Sequence, residues 1–219
     1  MTGTFNSRAK AVLTVVVITI AIVSIAFFIT CNLSPLFISY PLHQLSLSIK
    51  EINSDYFRLL AYLEIPWTNH LELKNITLSP NGYQHFRDVR NYLLANELVM
   101  VASTILCLRV IGKRKRRKQL WELLVPLELV MVVLLIATVL LVINFPTIFV
   151  GSHYLLFQNL DWVMSPQSNG IILLMPVSFF MKLFTIWMGL VFFFLGLLWL
   201  WIRLRFLKLW FEVTSNCRN

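Results

Sequence analysis

Two short stretches hold the side chains that could do chemistry. "GYQHFRDVR" (Gly82–Arg90) offers a histidine, a carboxylate and two guanidiniums, and "HYLLFQNLDWV" (His153–Val163) offers a second histidine beside Asn159, Asp161 and Trp162. Histidine exchanges a proton near neutral pH, so two of them at one cavity can serve as base and acid. On a helix His85, Asp88, Val89 and Tyr92 would share one face, with Arg87 and Arg90 on a neighbouring one. Asp88, one turn from His85, could hold that imidazole's tautomer and raise its basicity, which favours His85 as the base. The plainer reading of the same residues is a hydrated helix collar with an Arg–Asp pair. The other histidines, His43 and His70, fall in a looser stretch.

The elements that must position these residues lie in a bilayer. The chain is 58% hydrophobic and only 13% charged, against about 45–50% and about 25% in soluble domains. Four runs are long enough to span, at about 20 residues each: residues 11–31, 93–111, 121–145 and 171–202. The first run is too long for the apolar core of a cleavable signal, and no A-x-A site follows it. An all-α fold follows, one integral membrane domain over residues 1–219 with outer loops at about 32–92 and 146–170. "KRKRRK" (Lys113–Lys118) joins the second and third runs and should stay cytoplasmic, as should both termini. This collar supplies most of the net charge of +9 and suits anionic membrane lipids, not nucleic acid.

The first outer loop is long enough to fold on its own account. Ile49, Ile52, Tyr56, Leu59, Leu60 and Leu63 recur at helical spacing, while Lys50, Glu51, Asn53, Ser54 and Asp55 fill the polar side. An amphipathic helix is predicted there, lying on the membrane or against the bundle. "LELKNITLS" (Leu71–Ser79) alternates and could be a short strand. Ser79 then reads as an N-cap with Pro80 at the first helical position, opening a helix that runs on into the second span. The cysteines Cys31, Cys107 and Cys217 should not pair.

Several uses of the outer polar residues remain open on this reading. Ser152 as a nucleophile with His153 is disfavoured, since helical neighbours point about 100° apart. Cys31 has no activating partner in sequence. A metal on His85, His153 and Asp88 is a rival, and Lys182 inside the fourth run is a further candidate that could instead snorkel. Glu97 and Glu128, near membrane ends, read as structural. A non-enzymatic four-helix carrier or assembly factor would need a polar stripe through the bilayer, and neither residues 11–31 nor residues 129–160 carry a charge.

The two quoted stretches, with "VMSP" and "LLMPVSFF" following the second, resemble the lipoprotein intramolecular transacylase family, small four-helix bacterial membrane proteins. The resemblance covers essentially the whole chain. It implies an enzyme at the outer leaflet of the bacterial cell membrane that acts on a diacylated lipoprotein substrate, moving its sn-2 acyl chain to the N-terminal cysteine's α-amine. It places catalysis on His85 and His153, with Asp88, Arg87, Arg90, Asn159 and Trp162 as positioning or oxyanion neighbours, and it implies a monomer with no metal and no cofactor. The chain departs from the family pattern at Ser165, Asn169 and Val177, where acidic residues often stand. On the residues alone, Trp162 suits an interfacial anchor.

Overall fold

A computed structural model describes residues 2–216, with side chains from Ser7 to Lys208. Four helices are long and apolar enough to cross a membrane: α1 (Thr2–Leu33), α4 (Pro80–Arg116), α5 (Leu124–Ile143) and α7 (Val177–Asn216). Between them lie α2 (Leu42–Leu45), α3 (Ile49–Glu64) and α6 (Phe145–Leu156). The helix opening at Pro80 runs unbroken through the second span, as the Ser79–Pro80 signal predicts. At 37 residues it is about 55 Å long, well beyond the roughly 30 Å of a hydrocarbon core.

Helix ends differ from the hydropathy boundaries where local chemistry intervenes. The fourth run begins with a 3-10 turn at Gly170–Leu173, and its α-helix starts only after Pro176, whose ring bars the preceding residue from helical geometry. The third run likewise opens on a 3-10 turn, Leu120–Leu123, and stops at Ile143. A separate helix, α6, then carries His153. Most of "KRKRRK" is helical instead of forming a loop. Lys118 adopts φ 57°, and Gln119 N–H reaches Arg114 O at 3.0 Å while Lys118 N–H reaches Lys115 O at 3.2 Å. This pair of bonds closes the helix in a Schellman motif, usually made with glycine at the left-handed position.

Contacts divide the chain into two units: Met1–Ala26 with Val99–Val139 and Met188–Asn219, and Phe27–Leu98 with Leu140–Trp187. In the first, buried Arg114 donates from Nε to Thr14 Oγ1 and from Nη1 to Glu122 Oε2, each at 3.1 Å. Ser7 Oγ donates to the same carboxylate oxygen at 2.9 Å.

The second unit holds a core in which α3 packs Ile52, Tyr56, Leu59 and Leu63 with Phe86, Ile171, Leu174 and Phe179. Ser48 and Glu51 close a capping box at its start. The amphipathic pattern is therefore buried against protein. Asp55 departs from it, being fully buried on the packed side. Its carboxylate accepts from the backbone N–H groups of Lys74, Asn75 and Ile76 at 2.7–2.9 Å. That corrects the strand expectation for Leu71–Ser79: no strand forms among the described residues. A side chain takes the N–H groups that a neighbouring strand would have needed.

Candidate active site

The site is assembled within the second unit by the start of α4, helix α6 and the loop after it. Ser79 caps α4 as predicted, its Oγ accepting from Gly82 N–H at 3.2 Å. A second anchor comes from far along the chain. Asn169, buried at 2% exposure, accepts at Oδ1 from both Ser79 N–H and Ser79 Oγ–H at 2.9 Å. Gly82 is required by this approach, since a Cβ there would lie 2.4 Å from Asn169 Oδ1. The first turn of α4, and hence the aim of His85 one turn on, is set by a residue 90 positions away.

His85 is buried, and its Nδ1 has no hydrogen-bond partner. Its ring lies 4.8 Å from Phe157 and 6.0 Å from His153, centroid to centroid. His153 is held differently. Its Nδ1 lies 2.7 Å from Phe149 O, and a carbonyl only accepts, so Nδ1 carries a proton and, in the neutral ring, the lone pair is on Nε2. Phe149 at 4.4 Å, Trp162 at 5.2 Å and Phe157 at 5.5 Å surround the ring. Trp162 thus packs on the histidine, and its Nε1–H is taken by Asn159 O at 3.1 Å.

Asp88 stands near the pair, but its hydrogen bonds go elsewhere. Oδ1 accepts from Gln84 Nε2 at 3.1 Å and Oδ2 from Asn159 Nδ2 at 3.0 Å. The carboxylate ties α4 to the loop after α6, alongside the Tyr92 hydroxyl, which donates to Leu156 O at 2.6 Å. The two arginines separate. Buried Arg90 spends its guanidinium on the carbonyls of Tyr62, Ile65 (3.0 Å) and Pro66 (2.9 Å) and lies over the Tyr62 ring. Arg87 is exposed.

Other candidates lie apart. His43 and His70 are exposed. Ser152 Oγ donates to Phe149 O at 2.7 Å, within its own helix. Cys31 and Cys107 are free thiols, and Cys217 lies outside the described residues. Among the described residues no three His, Cys, Asp or Glu side chains converge to hold a metal. Sequence reasoning missed the aromatic shell of Phe149 and Phe157 and the anchor Asn169. Phe149 could have been found, one helical turn before His153; Asn169 carried no local signal.

A family model described as lipoprotein intramolecular transacylase Lit matches residues 12–180. The chain belongs to this family. Its structure is similar to that of the membrane integral lipoprotein intramolecular transacylase Lit from Bacillus cereus, with 26% identity, a TM-score of 0.72, and 96% of this chain and 97% of that one covered. A structure of the same bacterium's Lit carrying a histidine-to-arginine mutation is similar with 25% identity and a TM-score of 0.81, covering 95% and 96%. Among curated proteins, none matches. Family membership and four apolar helices make this a multi-pass membrane protein of a transacylase family.

Proposed function

We propose that this protein moves the sn-2 acyl chain of a diacylglyceryl lipoprotein to the α-amine of the same N-terminal cysteine, using His85 and His153 for proton transfer. The observation that carries the reading is the meeting of these two imidazoles from different helices, their centroids 6.0 Å apart in an aromatic shell. Nucleophile and ester belong to one substrate molecule, so the site need only fold that headgroup into a near-attack shape. No enzyme nucleophile is required.

The reaction is an isomerisation. The amine nitrogen attacks the sn-2 carbonyl carbon, the N–C bond forms, and the C–O bond to glycerol breaks. One proton leaves nitrogen and one must reach the glycerol oxygen. A free α-amine titrates at about 7.7–8.0, so supplying it neutral is a modest task. Expelling an alkoxide is the harder step, because the amine leaves more readily unless it loses its proton.

His153 is assigned the first transfer, because its Nδ1–H is held by Phe149 O and its Nε2 lone pair is available. Its imidazolium then passes a proton to His85, directly or through a water, and His85 protonates the departing oxygen. Both rings end neutral. This assigns the base to His153 in place of His85, since Asp88 gives its oxygens to Gln84 and Asn159. For the oxyanion, Arg90 is committed to carbonyls, while Asn159 retains a second amide hydrogen beyond the one given to Asp88. Asn159 is the proposed donor, with Asp88 and Trp162 as positioning residues.

The orientation follows from α4. Its basic end, Lys113–Arg116, is assigned to the cytoplasm and its start to the outer leaflet, where the enzyme acts as a monomer without cofactor. Mass spectrometry of a reporter lipoprotein's N-terminal peptide tests the function. The diacylated substrate should become N-acyl, S-monoacylglyceryl product. A triacylated substrate, whose amide nitrogen cannot attack, should stay inert. Free fatty acid released from it would replace transfer with hydrolysis.

A further inference from the structure

The first unit contains a cavity of about 330 Å³ that the proposed chemistry does not use. Its polar rim comes from Lys10 on α1, from Lys113 and Arg114 at the end of α4 and from Arg117 just after it. Leu13, Val17, Leu106 and Val110 form the apolar wall, with Thr14 and Gln119 completing the lining. Cations at one side and branched aliphatics at the other match an amphiphile with an anionic head.

The cations at the rim differ in what already holds them. Arg114 is held by Thr14 and Glu122, so a carboxylate already offsets it. Lys10, Lys113 and Arg117 are exposed and, among the described residues, make no ion pair. Lys115, Arg116 and Lys118 belong to the same basic run yet do not line the cavity. A helical pitch puts 113, 114 and 117 on one side, and the Schellman turn at Lys118 returns Gln119 to the lining.

We infer that this cavity binds one anionic phospholipid, the headgroup phosphate meeting Lys10, Lys113 and Arg117 and the upper acyl chain lying along Leu106 and Val110. The physical basis is general: a phosphate near clustered Lys and Arg gains about 1 kcal/mol per cation, and basic pockets between membrane helices are suited to such headgroups. The phosphate could also come from a soluble phosphoester, which lacks the chain for the apolar wall.

Native mass spectrometry of the full detergent-purified chain tests it, with phosphatidylglycerol, phosphatidylcholine and glycerol 3-phosphate as probes. Wild type should retain one phosphatidylglycerol in preference to phosphatidylcholine. Lys10→Gln with Lys113→Gln should weaken that binding on the order of 30-fold, from two lost cations. Lys115→Gln with Lys118→Gln removes the same charge from the same run and should change it by no more than a few-fold. Equal losses in the two pairs would overturn the pocket in favour of diffuse attraction. Equal retention of glycerol 3-phosphate would overturn the lipid in favour of a soluble phosphoester. All substituted lysines are exposed, and Arg114 keeps its partners in both variants, so the fold is not at stake.

Discussion

The two ends of α4 handle polar groups in opposite ways. Near its start, the polar side chains that are not exposed have assigned partners: Asp88 with Gln84 and Asn159, Arg90 with three carbonyls, Ser79 with Asn169. Nδ1 of His85 is the exception there. At its close, charge is dense, and apart from Arg114 the cations make no ion pair among the described residues. A buried polar group costs about 1–3 kcal/mol when unsatisfied. Under the proposed function the unpartnered nitrogen of His85 is reserved for the substrate, whereas unpaired exposed lysines cost little.

Removing the reserved groups should have the largest effect. His85→Gln and His153→Gln are each expected to lower conversion to the lyso-form by about 10²–10⁴-fold while the protein stays in the membrane. Either variant retaining full activity would take that histidine out of the mechanism, and full activity in His85→Gln would make the start of α4 merely structural. Activity in excess chelator sharpens the same point. It should persist, and loss with rescue by zinc or copper would turn the pair into metal ligands.

Asp55 tests whether filled bonds are what hold the site's unit together. Asp55→Ala strands three backbone N–H groups and should cost about 3–5 kcal/mol, read as a fall in Tm in detergent. An unchanged Tm would mean that water replaces the carboxylate without penalty.

Glu64, at the end of α3, is the carboxylate with an awkward place in this scheme. Burial pushes its pKa up to about 7, Asn32 Nδ2–H at 3.1 Å lowers it, and Glu97 raises it again by repulsion. An acid whose folded pKa exceeds its unfolded value of about 4.5 binds its proton better when folded. Its contribution is full below about pH 4.5 and is lost as pH rises through about 7. Tm should therefore decline across that window, and Glu64→Gln should flatten the decline. An equally steep profile in the variant would assign the effect to another group.

The smallest change is expected at the other end of the helix. Lys118 holds φ 57° without being glycine, so Lys118→Gly should stabilise by up to about 1 kcal/mol. A loss of stability would show that the Lys118 side chain contributes more than its backbone strain costs.

How far each of these features was legible depends on the separation of the residues that make it. The spans of α1 and α4, the helix of α3 and the Ser79 cap were readable because hydropathy, periodicity and capping act over one or a few turns. The candidate histidines were readable as residue types beside apolar runs. Asp55 was misplaced on the polar side of α3, because its partners lie 19–21 residues away and helical periodicity knows nothing of them. Arg90 looked like an oxyanion donor until the end of α3 supplied carbonyls 24–28 residues distant.

By itself the sequence determined a four-span, basic-collared membrane helical protein and a short set of proton-transfer candidates, since burial in lipid is decided by composition and backbone bonds close within each helix. Tertiary structure alone decided which polar groups were spent and which were left. Asn169 reaches 90 residues back to aim His85's helix, Asn159 takes Asp88 from 71 residues on, and Phe157 seats both imidazoles. A hydrogen bond depends on distance and angle in space, and a chain folded through several helices brings such partners together at separations no local pattern encodes.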